Sequence, residues 1–135
     1  MAESPPRCRL LLVSSDVRAA EALRVHLEHH GFVVCNATSA STAAAVIGEL
    51  RPDLVLIDAA VHQGWREVVR ALNGEFPRAR MAILAAYWST AARQAALDAG
   101  IGGIFLKQME GRRLADRLLG LLDEDARTPA GTVHA

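Results

Sequence analysis

Five short hydrophobic segments recur along the chain, and each is nearly continuous rather than alternating with polar residues. They lie at residues 10–13, 32–35, 54–57, 81–84 and 104–106. Continuous hydrophobic runs of this length are typical of β-strands that are buried on both faces, as in a parallel sheet covered by helices. The pattern therefore predicts five buried parallel strands.

The segments between these runs place hydrophobic residues at helical spacing and end at residues that break helices. The predicted helices lie at residues 17–30, 41–50, 65–73, 91–99 and 110–123, with Asp16 as the N-cap of the first. Five repeats of strand followed by helix predict an α/β domain with a single, doubly wound, five-stranded parallel sheet. The functional site of such a domain lies at the carboxyl ends of its strands.

Composition and charge limit the possible partners. Fifteen basic residues balance fifteen acidic ones in 135 residues, so we expect these residues to bind neither nucleic acid nor a membrane. The acidic N-terminus and the short apolar runs predict a cytoplasmic protein. We expect a flexible N-terminus at 1–7, the domain at 8–123, and a disordered tail or the start of a linker at 124–135.

Cys8 and Cys35 fit neither a disulfide framework nor a zinc site, and both are predicted to be reduced core thiols.

Few residues at the strand ends have side chains suited to chemistry. Asp58 ends the third strand, where a carboxylate at the rim of the sheet needs a nearby cation or hydrogen-bond donors. Lys107 follows the fifth strand and is the only lysine among the fifteen basic residues, so it is the expected cation. Ser14 and Ser15 follow the first strand and are expected to cap the first helix.

The order and spacing of these segments resemble the receiver domain of bacterial two-component response regulators over residues 8–123. The resemblance rests on the third strand, which closes on Asp58, and on the glycine-rich entry to a fifth strand that ends in Lys107. It implies the flavodoxin-like receiver fold with strand order 2-1-3-4-5, and a signalling module rather than an enzyme. It also implies that Asp58 is the phosphoacceptor for a histidine kinase or another signalling protein, with Lys107 as the family's lysine.

The resemblance further implies a magnesium site, built from an acidic pair after the first strand, the phosphoacceptor and a backbone carbonyl, here that of Ala60. The acidic pair falls on Ser14 and Ser15, which carry no charge, and Asp16 is a possible substitute one residue too late. Magnesium prefers charged oxygen ligands. We therefore expect no tightly bound cofactor and at most weak binding of magnesium.

The family's conformational switch is altered as well. The switch hydroxyl after the fourth strand falls on Ala85, and the aromatic switch residue of the fifth strand falls on Ile104. Both positions therefore lack the group that ordinarily responds to a phosphoryl group.

These observations leave more than one function open. The leading hypothesis is a degenerate receiver in which Asp58 and Lys107 form a structural ion pair and signals pass through protein contacts. The alternative is an active receiver, phosphorylated on Asp58, that controls a transcriptional output domain. A flavin- or nucleotide-binding protein shares the fold class, but the chain has no glycine-rich phosphate loop.

Two features suggest how such a receiver meets its partners. Tyr87 and Trp88 are adjacent aromatic residues before the fourth helix, and at least one of them is expected to contact a partner. We also expect a homodimer through the face formed by the fourth helix, fifth strand and fifth helix, independent of phosphodonor and magnesium.

Overall fold

The computed structural model describes the backbone of residues 8–127 and the side chains of residues 8–123. Its strands are β1 (Cys8–Val13), β2 (Phe32–Ala37), β3 (Leu54–Asp58), β4 (Met81–Ala85) and β5 (Gly103–Leu106). Its α-helices are α1 (Val17–His29), α2 (Ala40–Leu50), α3 (Trp65–Ala71), α4 (Thr90–Asp98) and α5 (Gly111–Arg127). The strands and helices alternate along the chain as the sequence predicted.

The five strands form one parallel sheet in the order β2-β1-β3-β4-β5, which confirms the predicted receiver fold. In this register Val13 of β1 lies beside Ile57 of β3, so the next residues, Ser14 and Asp58, emerge side by side. The register thus brings two strand ends together at the carboxyl edge of the sheet.

Each face of the sheet carries its own hydrophobic cluster. On one face α1 and α5 pack against the strands, and Leu27 and Leu118 are fully buried there. On the other face α2, α3 and α4 provide buried residues that include Trp65 and Val68. The central strands are buried on both sides, because helices cover both faces.

Local hydrogen bonds set the starts of several helices. Ser39 and Ser89 cap α2 and α4, since their side chains accept from the N–H groups of Thr42 and Ala92. Before β5, Gly102 permits a close approach of two backbones, because a Cβ atom there would overlap the carbonyl of Ala79.

The edge strand β2 corrects two expectations. Phe32 and Val34 are buried whereas Val33 and Cys35 are exposed, so β2 is not buried on both faces, because the side opposite α1 is only partly covered. Cys35 is consequently exposed, and its assignment to the core is wrong. Cys8 is buried as predicted, and burial together with the nearby carboxylate of Asp53 raises the pKa of its thiol to about 12.

The C-terminal helix is longer than predicted. α5 extends to Arg127, which places residues 124–127 in the helix rather than in the expected tail. The expected flexible N-terminus at 1–7 and the remainder of the tail, residues 128–135, lie outside the described residues.

Candidate functional site

The Asp58 carboxylate lies at the centre of the carboxyl edge of the sheet. Lys107, directly after β5, places its Nζ 2.8 Å from Oδ1 of Asp58. The backbone N–H of Ala60 donates to the same oxygen at 2.9 Å, and the Ser14 hydroxyl donates to Oδ2 at 3.1 Å. Asp58 and Ser14 are the buried polar residues of the described chain. We call the set of Ser14, Asp58 and Lys107 the Asp58 pocket.

Two of the three residues after β1, Ser14 and Ser15, have different partners from those predicted. Besides its bond to Asp58, Ser14 accepts from the N–H of Asp16, and Ser15 accepts from the N–H of His62. Neither serine caps α1. The cap is Asp16, as the helix pattern had indicated, because its Oδ1 accepts from the N–H of Ala19 at 3.1 Å. Ser14 instead connects β1 to the end of β3, and Ser15 connects β1 to the loop that follows β3.

The residues of the Asp58 pocket do not fit a magnesium ion. Among the described residues that surround the Asp58 pocket, Asp58 is the only carboxylate, and its Oδ1 already accepts from the Lys107 ammonium. Asp16 points its carboxylate at the N-terminus of α1 instead. Residues 8–123 also contain no group of three or more His, Cys, Asp or Glu residues arranged to hold a metal ion. Magnesium requires several hard oxygen ligands, and this pocket offers one carboxylate with a cation beside it.

The two predicted switch positions lie near the pocket without contributing a polar side chain to it. Ala85 ends β4 and is buried, and its carbonyl accepts from the N–H of Lys107 at 2.8 Å. Ile104 of β5 is partly buried and packs against the cluster on the α2–α4 face. Ala85 therefore helps to position Lys107 through its backbone alone.

The adjacent aromatic residues Tyr87 and Trp88 have different environments. The Trp88 indole donates to the carbonyl of Phe105 at 3.1 Å and packs against the core, so this side chain connects the β4–α4 loop to β5. Tyr87 is 78% exposed. Of the two, Tyr87 is the side chain available to a partner.

Sequence reasoning missed a cavity of about 470 Å³ that lies between α1 and α5 and opens beside Asp58. Its signal in the sequence is indirect: Ala19 and Ala22 occupy the facing side of α1, and Gly111 begins α5. The two alanines leave space between helices that pack on the same face of the sheet, and the lack of a side chain at Gly111 makes room for the His26 imidazole, which also lines the cavity.

Residues 10–119 match the response regulator receiver domain family, which covers most of the chain and every residue of the Asp58 pocket. The chain belongs to this family. It is therefore a receiver domain of two-component signalling. No curated protein matches the sequence.

Solved structures of receiver domains share the fold of this receiver. One is a CheY-like receiver domain protein from Methanospirillum hungatei, with 23% identity, a TM-score of 0.78 and coverage of 90% of this chain and 98% of that one. Another is a response regulator from Thermotoga maritima, with 24% identity, a TM-score of 0.75 and coverage of 87% and 99%. A third is the BeF3-activated receiver domain of RstA from Klebsiella pneumoniae, with 24% identity, a TM-score of 0.75 and coverage of 84% and 97%. Across residues 8–127 of this receiver, none of the helices is both long and apolar enough to cross a membrane.

Proposed function

We propose that this receiver transmits signals through protein–protein contacts, with little or no phosphorylation of Asp58. The observation that carries the proposal is the pair of partners of Asp58, a single ammonium on one oxygen and a neutral hydroxyl on the other. These groups balance the charge of the carboxylate without any metal ion.

Phosphoryl transfer to a carboxylate needs more positive charge than the pocket supplies. The incoming group carries several negative charges next to the Asp58 carboxylate, and receiver-type chemistry neutralises them with a divalent cation and an ammonium. Here Lys107 supplies the ammonium, while Ser14 stands at the position where a second carboxylate is needed to hold the cation. The Asp58 pocket therefore favours a structural ion pair over a phosphorylation site.

The two switch positions near the pocket also lack side chains that could respond to a phosphoryl group. Ala85 has no hydroxyl to bond a phosphoryl oxygen, and Ile104 has no aromatic ring to change position. A surface that signals without such a switch must be held in one state by the fold.

The proposed contact surface is the face of α4, β5 and α5, and its occupant is a second copy of this chain. Each of the three elements exposes one leucine: Leu97 on α4, Leu106 on β5 and Leu119 on α5. A contiguous exposed apolar patch is typical of an interaction surface, and we propose that these three leucines form one. Arg93 and Asp98 on α4 are also exposed and offer opposite charges that set the register of such a contact. We name this surface the leucine face.

The phosphorylation test uses acetyl phosphate with magnesium, followed by intact-protein mass spectrometry. We expect no phosphoryl adduct on the native protein, and an adduct on the Ser14→Asp/Ser15→Asp variant, which supplies the missing carboxylates. Stoichiometric modification of the native protein that is lost in Asp58→Asn would contradict the proposal. It would establish an active receiver instead.

The dimer test is sedimentation equilibrium with and without both reagents. We expect one dimer population under both conditions, reduced by Leu97→Glu and unchanged by Val25→Glu, a matched exposed position on α1. A monomer at tens of micromolar, or a dimer that forms only with phosphodonor, would contradict the proposed leucine face.

A further inference from the structure

The cavity between α1 and α5 has the dimensions of a small-molecule site. Its volume is about 470 Å³, within the range of about 300–1,000 Å³ that is common for ligand pockets. Leu12 and Leu84 of the sheet form its floor, and Leu23 and Leu114 line its sides. The exposed residue Ala22 lies on its rim, so the cavity opens to solvent between the two helices.

The two faces of the sheet differ in the cavities that they carry. On the α2–α4 face, a smaller cavity of about 260 Å³ lies between α3 and α4, and its lining includes the charged residues Arg66 and Arg70. On the α1–α5 face, Ala19 and Ala22 leave space between the helices, and the His26 imidazole lines the cavity beside Gly111, where it fills the position that a side chain at residue 111 would take. The cavity opens to solvent, so its apolar lining is removed from water when an apolar molecule binds there. This burial favours a ligand with an apolar body.

One end of the cavity is polar, and its charges determine what it can bind. The carboxylate of Asp58 and the ammonium of Lys107 both line it, together with the Ser14 hydroxyl. Lys107 has three donors and one ionic partner among the described residues, whereas Oδ2 of Asp58 accepts one hydrogen bond from them, that of Ser14. The two charges cancel, so neither an anion nor a cation gains a net attraction. A hydroxyl group can accept from Lys107 and donate to Asp58 at the same time.

We propose that this cavity binds a small, uncharged and largely apolar molecule that carries a hydroxyl group. The apolar body fills the space between α1 and α5, and the hydroxyl bonds with Lys107 and Asp58. This inference rests on the proposed function in one respect: the hydroxyl can bond with Asp58 only while that carboxylate carries no phosphoryl group.

The test uses 2-naphthol as the probe and follows backbone amide resonances of the protein by NMR, without phosphodonor or magnesium. We expect saturable one-to-one binding, with the largest shifts at residues that line the cavity, such as Ala22, Lys107 and Leu114. The anion 2-naphthoate has the same ring system, and we expect it to bind at least about fivefold more weakly, because a carboxylate has no proton to donate to Asp58 and loses more hydration free energy on entering the cavity.

A matched pair of variants assigns the binding to the cavity. Ala22→Phe places a ring in the opening and is expected to weaken 2-naphthol binding by about tenfold or more. Ala45→Phe makes the same change at an exposed position of α2, away from the cavity, and is expected to leave binding unchanged. Absence of saturable binding, shifts centred elsewhere, tighter binding of 2-naphthoate, or equal loss in both variants would overturn the proposal. Because no phosphodonor is present, this result is independent of whether Asp58 can be phosphorylated.

Discussion

The two sides of the Asp58 carboxylate differ in the kind of partner they provide. On the β5 side, the ammonium of Lys107 donates to Oδ1, which also accepts from the N–H of Ala60 in the loop after β3. On the β1 side, the neutral hydroxyl of Ser14 donates to Oδ2. The first side supplies a full positive charge, whereas the second supplies a neutral dipole. The charge of the Asp58 carboxylate is therefore balanced from one direction only, and the two partners should contribute differently to stability.

Removing the cation from the β5 side is the largest perturbation. Lys107→Met keeps most of the side-chain volume but leaves Asp58 buried without a charged partner, and we expect a loss of about 1–3 kcal/mol in the free energy of unfolding. The side chain of Asp58 is 9% exposed and that of Lys107 is 37% exposed. Asp58→Asn should therefore cost less, since water solvates the remaining ammonium. Urea denaturation of both variants and the double variant measures the coupling. If the two single variants lost equal stability, or if the double variant showed no coupling between them, the ion pair would not account for the stability of this side of the pocket.

Removing the hydroxyl from the β1 side is expected to have a smaller effect. Ser14→Ala deletes a donor to a buried carboxylate and an acceptor for the N–H of Asp16, and we expect a loss of about 1–2 kcal/mol. Ser15→Ala is the matched control, because Ser15 is exposed and, within the part of the chain that the structure describes, its hydroxyl bonds to the loop N–H of His62. We expect that control to lose about 0.5 kcal/mol or less. If the two alanine variants were equally stable, the hydrogen bond from Ser14 to Asp58 would not contribute measurably to stability.

Asp16 distinguishes a helix cap from a metal ligand on the same β1 side. Asp16→Ala removes the acceptor for the N–H of Ala19, and we expect a loss of about 1 kcal/mol. Asp16→Ser keeps a capping oxygen and should recover most of that stability. Neither variant should change the response of the protein to magnesium, as followed by the Ala60 amide resonance. A magnesium response that Asp16→Ala abolished would assign Asp16 to the metal instead.

The fold was predictable from the sequence because its signals are local. Five unbroken hydrophobic runs and the helices between them indicate a doubly wound parallel sheet before any contact is known. The edge strand β2 was less predictable. Cys35 belongs to a run that resembles a fully buried strand, and its exposure depends on how far α2 reaches over that strand.

The sequence was sufficient to predict which residues meet in the pocket, but not all of the hydrogen bonds that they form. Asp58 and Lys107 could be paired because both follow strands that end at the same edge. The choice of cap between Ser14, Ser15 and Asp16 was resolved only by where each side chain points. The cavity could not be predicted, because it depends on the distance between α1 and α5 rather than on either helix alone.

The most direct test of the account is a magnesium titration of the native protein, followed through the amide resonances of Ala60 and Lys107. We expect no saturable shift at low-millimolar magnesium, since one carboxylate already paired with an ammonium is a poor ligand set. The Ser14→Asp/Ser15→Asp variant should show saturable binding under the same conditions. Saturable binding at low-millimolar magnesium by the native protein would contradict the claim that this receiver works without a metal-dependent phosphorylation site.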